Sequence, residues 1–215
     1  MALRDELGGW LNERAQRHLR EVFDRLGIAV REHTEVARVD ADGAITVDAQ
    51  RIQAQVTVWA GGFAVSPVAA TSTLAVSGSG QIIVDDTMRS VSHPEVYAVG
   101  DAGLAQGPGD KPLRMSCASG VPMAWQAADA IAARLTGRQV PHIPIRYYGQ
   151  CVSLGRRNGL LQFVTADDRA TGSQLTGRKA ARVKELICTG AAWGATRATS
   201  LPARRRHNAS VPATV

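Results

Sequence analysis

No run in this 215-residue sequence approaches the roughly 18 consecutive apolar residues that a membrane-spanning helix needs. The opening Met1-Ala2-Leu3-Arg4-Asp5-Glu6 has no apolar centre, so it does not read as a secretory signal. There are only three cysteines, Cys117, Cys151 and Cys188, far apart and without a C-x-x-C pair. That argues against a disulfide framework, a zinc site or a reductase-type redox disulfide, and fits reduced thiols in a cytoplasmic protein. His18, His33, His93, His142 and His207 are scattered, so no metal site is expected. Aromatic residues make up 5% of the chain and no binding motif interleaves them with cations, which speaks against nucleic acid. No Ser-His-Asp set or carboxylate pair nominates a catalytic acid, base or nucleophile. No G-x-G-x-x-G turn joins a strand to a helix, so the usual backbone cradle for a dinucleotide pyrophosphate is missing from this sequence.

What is present is an ordinary globular composition, 45% hydrophobic and 20% charged, long enough for one large domain or two small ones. The net charge of +6 is unevenly spread. From Arg156 to Arg206 there are eleven basic and three acidic residues, a net of +8, which leaves −2 for the rest. Such a basic third suits anionic lipid or a phosphate; equally, it is what a solvated face looks like.

Leu11, Ala15, Leu19, Val22, Phe23 and Leu26 recur at three- and four-residue spacing. They predict a helix over 12–26, with Asn12 as N-cap and Gly27 as its stop. A short strand is expected at 28–30, then a hairpin around Asp40-Ala41-Asp42-Gly43. Val56, Val58, Trp59 and Ala60 read as a buried strand ending at Gly61-Gly62, and Ile82 to Val84 as another strand. Ser77-Gly78-Ser79-Gly80 opens no helix and reads as a turn. Val121, Ala124, Trp125, Ala128, Ile131, Ala132 and Leu135 predict an amphipathic helix with Pro122 in its first turn and Gly137 at its end. Its apolar stripe is expected to face the core, Trp125 included. Further on, strands at 151–154 and 160–164 flank the turn signal Asn158-Gly159, and a helix is expected over 175–189.

The stretch these elements are organised around is Val96-Tyr97-Ala98-Val99-Gly100-Asp101. Four apolar residues, too few for a helix, lead into a glycine and a carboxylate. They predict a buried parallel strand whose C-terminal end opens on a ligand crevice. Gly100 permits close approach and Asp101 can accept hydrogen bonds from hydroxyls. A strand that merely ends in a turn would carry the same residues.

Taken as a whole, Met88 to Asp101 resembles the second flavin motif of the two-dinucleotide-binding-domain flavoproteins. The likeness continues through Ser116 to Gly137 and on to Gly177-Arg178-Lys179. It is strongest to the FAD-containing NADH dehydrogenases of the single-subunit type, pyridine nucleotide-disulfide oxidoreductases in the wider sense, and covers only their C-terminal part. The resemblance implies an α/β chain, a partial FAD/NAD(P)-binding fold with a small C-terminal α+β region. Residues 1–64 would end an NAD(P)-binding domain, 65–138 would end an FAD-binding domain, 139–200 would form an interface or cap, and 201–215 a disordered tail. It implies FAD and NAD(P)H as cofactors and hydride transfer from NAD(P)H to FAD, with a quinone-type molecule as electron acceptor. Gly100 and Asp101 would hold the ribitol. Met123, Gln126 and Ala127 near the helix start would approach the flavin ring, and Gly61 and Gly62 would border the nicotinamide. Localisation is expected to be cytoplasmic, with peripheral contact at the inner membrane face and a homodimer left open. The competing expectation is a non-catalytic remnant or interaction module with a basic surface, and a truncated chain is doubtful as an enzyme by itself.

Overall fold

The computed structural model of the chain describes residues 6–140 and 143–196, so the expected 201–215 tail lies outside the described residues. The structure is α/β and divides into two compact units. The first comprises Met1–Gly62, Gly149–Phe163 and Arg169–Ile187; the second comprises Phe63–Tyr148, Val164–Asp168 and the chain from Cys188.

The first unit begins with α1 (Glu13–Arg25), where the Asn12 side chain caps the helix by accepting from the Ala15 amide at 2.9 Å. Leu11, Ala15 and Leu19 are buried with Leu160. An antiparallel sheet follows, β1 (Val36–Asp40), β2 (Gly43–Thr46) and β3 (Arg51–Gln53), with Asp40 opposite Gly43 at the predicted turn. A second sheet has the order β6 (Gly149–Ser153), β7 (Gly159–Val164), β8 (Ala170–Thr176), and α3 (Gly177–Thr196) leaves its end. The β6–β7 hairpin turns where Asn158-Gly159 predicted it. Gln162 is fully buried at the middle of this unit. Its amide donates to the carbonyls of Phe163, Thr171 and Ser173 at 2.8–3.1 Å and its oxygen accepts from the Asn12 amide at 3.1 Å.

Glu32 ties the same unit at its surface. Its carboxylate accepts from the Leu7 amide at 2.8 Å and from the Arg20 guanidinium. The Leu7 bond first, and then the arginine, hold its pKa below the ordinary 4.5, against the opposing effect of desolvation. A depressed carboxylate pKa adds stability above the unfolded value and loses it as pH falls through the folded one. The acid limb of a stability–pH curve, below about pH 4.5, is therefore expected to flatten in Glu32→Gln. An unchanged slope there would show that this contact carries no pH dependence.

The second unit is built on a parallel pair, β4 (Ile82–Ile83) and β5 (Gly103–Leu104), and on α2 (Cys117–Leu135). Val84, Met88, Ala98, Ala105, Leu113, Met123 and Ala127 form its core.

Several expectations change in the structure. Residues 28–30 are irregular and exposed. Val56 to Ala60 is also irregular, with Val56 81% and Val58 83% exposed, because no strand among the described residues pairs with this segment. Val96 to Val99 runs extended but carries only one bridge, Arg89 to Tyr97, and no parallel ladder among the described residues. α2 starts four residues earlier than read, so Pro122 lies in its second turn. Its buried face is also the other one: Ser119, Met123, Gln126, Ala127, Ala130 and Ala133 point inward, whereas Val121, Trp125, Ile131 and Leu135 are exposed. The buried face is the one with small residues, and small residues let a helix come closest to what it packs on.

Candidate functional site

The chain leaves Val99 in an extended conformation and enters a single 3₁₀ turn, Gly100–Ala102. Gly100 has φ +64°, the left-handed region in which other residues are strained. The start of α2 lies directly behind it: a Cβ on Gly120 would stand 3.3 Å from the Gly100 Cα. Two glycines therefore allow the turn and the helix to meet backbone to backbone. On its other side Gly100 faces open space, since an added Cβ there would meet nothing within 4 Å.

Asp101 is exposed at the tip of this turn, and its carboxylate has no hydrogen bond or ion pair among the described residues. The turn itself is fixed from below. Gln81, 6% exposed, donates from Nε2 to the carbonyls of Asp101 at 3.1 Å and Gly103 at 3.2 Å. A rigid backbone with a free carboxylate at its tip can receive hydroxyl donors from a ligand without reorganising.

The first turn of α2 is held as firmly. The Ser119 hydroxyl meets the Tyr147 hydroxyl at 2.9 Å, and the Arg114 amide donates to that same oxygen at 2.8 Å. The Arg114 guanidinium lies 4.6 Å from the Tyr147 ring centre and pairs with Asp168 at 3.4 Å. At the far end of the helix, Arg134 donates to the Pro94 carbonyl and to the Tyr97 hydroxyl, each at 2.8 Å. The Arg134 bonds fasten the far end of α2 to the segment that leads into Gly100, and the Ser119–Tyr147 contact fastens its start to Tyr147.

Gly100 and Asp101 thus sit together with the helix start. Met123, Gln126 and Ala127 belong to the same unit but face its core; Met123 is 1% exposed, and its methyl group closes on Gly103. Gly61 and Gly62 belong to the other unit, where they lie in an exposed irregular segment. Gln81, Ser119, Tyr147 and the Arg114–Asp168 pair were not singled out from sequence. For Gln81 a signal existed, a polar residue opening an otherwise apolar strand; for Tyr147 there was none, because its partners lie about 30 residues away.

The sequence profile of the pyridine nucleotide-disulphide oxidoreductases matches residues 1–132. An NADH dehydrogenase-like protein found in two strains of Mycobacterium tuberculosis is 27% identical over 129 residues, 60% of this chain and 32% of the relative. The chain therefore spans about a third of the length of the curated relatives it matches. Among solved structures it resembles a FAD-dependent pyridine nucleotide-disulphide oxidoreductase from Desulfovibrio vulgaris. That likeness has a TM-score of 0.57 and 19% identity, over 74% of this chain and 41% of the other. It also resembles the sulfide:quinone oxidoreductase of Aquifex aeolicus, with a TM-score of 0.61 and 14% identity, over 85% and 45%. At these identities the structures establish the fold, which is part of an FAD/NAD(P)-binding oxidoreductase fold. With more than half of its length matched by the profile, the chain belongs to the pyridine nucleotide-disulphide oxidoreductase family.

Proposed function

We propose that this chain is the ribitol-holding portion of an FAD-dependent NAD(P)H oxidoreductase that passes electrons to a quinone-type acceptor. The observation that carries it is the Gly100–Asp101 turn: an exposed carboxylate without a partner among the described residues, on a backbone pinned by Gln81 and backed by the α2 start. The residues present fit one part of the cofactor. Asp101 suits the ribitol hydroxyls, and the open side of Gly100 gives room for close approach. The pyrophosphate part has no counterpart here, since the sequence holds no glycine-rich turn opening a helix. FAD, when bound, supplies the electron-carrying ring; this chain's residues hold and orient it. Met123, Gln126 and Ala127 act from behind, by fixing the helix against the core. Gly61 and Gly62 are proposed for the nicotinamide side. A quinone-type acceptor is supported by the likeness to a sulfide:quinone oxidoreductase and an NADH dehydrogenase-like protein. Titrating riboflavin with the protein, followed by flavin fluorescence, tests the reading. Saturable quenching is expected, and its absence would remove the flavin from the account.

Peripheral membrane contact is proposed for α3. Among the described residues no helix is long and apolar enough to cross a membrane. α3 instead carries the exposed cations Arg178, Lys179 and Arg182, followed by exposed Leu186 and Ile187, the combination of an interfacial helix. Each cation near an anionic surface contributes about 1 kcal/mol. Binding to phosphatidylserine vesicles is expected to fall steeply between low and high salt and to drop further in a triple glutamine variant of those cations. Equal binding to neutral vesicles would return them to ordinary solvated residues.

A second reading, a non-catalytic interaction module, is favoured by the exposed apolar side of α2, where Trp125 is 43% and Leu135 80% exposed. The riboflavin titration separates the two.

A further inference from the structure

Away from the Asp101 turn, the second unit has a groove of about 520 Å³. Met88, Pro108, Gln126, Ile143, Pro144 and Ile145 are among the residues that line it. A hollow of about 250 Å³ adjoins it and adds Trp125 and Tyr148. The first volume is in the range of small-molecule sites, and the lining is largely apolar, as such sites are.

The groove is built from fixed parts. Met88 sits at φ +66°, rare for a long side chain. It is kept there by its amide bond to the Asp85 carbonyl at 3.1 Å and by the Ala98 amide, which donates to its carbonyl at 3.0 Å. The Asp85 carboxylate fastens the same turn by accepting from the Thr87 and Arg89 amides. Among the other lining residues, the Ile143 amide donates to Gln126 Oε1 at 3.4 Å.

Two charged residues line this space. Asp86 has an interaction of its own within the protein. Arg146 lines both hollows, is exposed, and makes no hydrogen bond or ion pair among the described residues. An unpaired guanidinium beside an apolar slot is complementary to a flat apolar body carrying one carboxylate, which the arginine fork can grip with two parallel bonds. We propose that this groove binds an aromatic or similarly flat apolar monocarboxylate, with its carboxylate on Arg146. The inference does not need the Gly100–Asp101 turn, since neither residue lines the groove; Gln126, which lines both hollows, is shared with the flavin reading only as a residue that fixes α2.

The test titrates the 215-residue chain with 1-naphthoate and, in parallel, with uncharged 1-naphthylmethanol, by calorimetry at low salt. Naphthoate is expected to bind saturably and about tenfold more tightly than the alcohol, the order of effect of one charge-assisted contact. Arg146→Gln is expected to bring naphthoate down to the affinity of the alcohol and to leave the alcohol unaffected. Ala166→Leu, an exposed wall position that would narrow the slot, is expected to weaken both ligands. Asp101→Ala is expected to change neither. Equal affinities of the two probes for the unmodified chain, no saturable binding of either, or an unchanged naphthoate affinity in Arg146→Gln would overturn the proposal.

Discussion

Asp101→Ala is expected to weaken flavin binding about ten- to a hundredfold and to leave the melting temperature where it was. The two halves of this expectation come from the same observation. The carboxylate is exposed and has no partner among the described residues, so the folded chain loses no contact when it is removed. A charge-assisted hydrogen bond to a ligand hydroxyl, in contrast, contributes roughly 1.5–3 kcal/mol, which is the stated range in affinity. Asp101→Asn keeps an acceptor without the charge and should fall between the two. Titrating riboflavin against the three proteins, with thermal melts alongside, gives both readouts. An unchanged flavin affinity in the alanine variant would sink the assignment. A lowered melting temperature would mean that the carboxylate serves the fold instead.

Gln162→Leu is expected to lower stability by about 2–4 kcal/mol. The leucine would fit the site in size but could not meet the carbonyls of Phe163, Thr171 and Ser173, nor the Asn12 amide. Buried groups left without partners cost about 1–3 kcal/mol each, partly relieved by local movement. Asn12→Ala removes the α1 cap and two bonds toward β8, to the Thr171 carbonyl and Gln174, and is expected to cost less, about 1 kcal/mol for the cap and somewhat more for the rest. Urea denaturation of the three proteins checks the order. A Gln162→Leu midpoint close to that of the unmodified chain would show that this hub is not what joins α1 to the β7–β8 hairpin.

These two sites differ in how far the sequence foretold them. Several local signals read correctly. Asn12 and Gly27 bound α1 because capping and left-handed turns depend on a few neighbouring residues, and Asp42-Gly43 and Asn158-Gly159 turn their hairpins for the same reason. The Gly100–Asp101 turn was legible as glycine followed by an acid at a strand end. The bonds that position it were not, because Gln81 and Tyr147 reach it or its helix from distant parts of the chain. Val56 to Ala60 shows the limit of apolar patterning: a run of β-formers becomes a strand only when another strand pairs with it. α2 shows a second limit. Its sequence is apolar on both sides, so periodicity marks a helix but does not choose the face, and packing settled on the alanine side.

The central claim is that this chain recognises the ribitol end of a flavin and not its pyrophosphate. It is tested most directly by comparing riboflavin, FMN and FAD as ligands of the same 215-residue protein. Fluorescence titration of each, followed by gel filtration of the FAD mixture, is sufficient. Weak, saturable binding with FAD no more than about twofold tighter than riboflavin is expected, because the phosphates and the adenosine add no contact that a glycine-rich turn would otherwise supply. The protein should then emerge from the column colourless. FAD held far more tightly than riboflavin, or retained near stoichiometry after the column, would contradict the account, since the chain would then possess a phosphate grip that neither its sequence nor its described residues display.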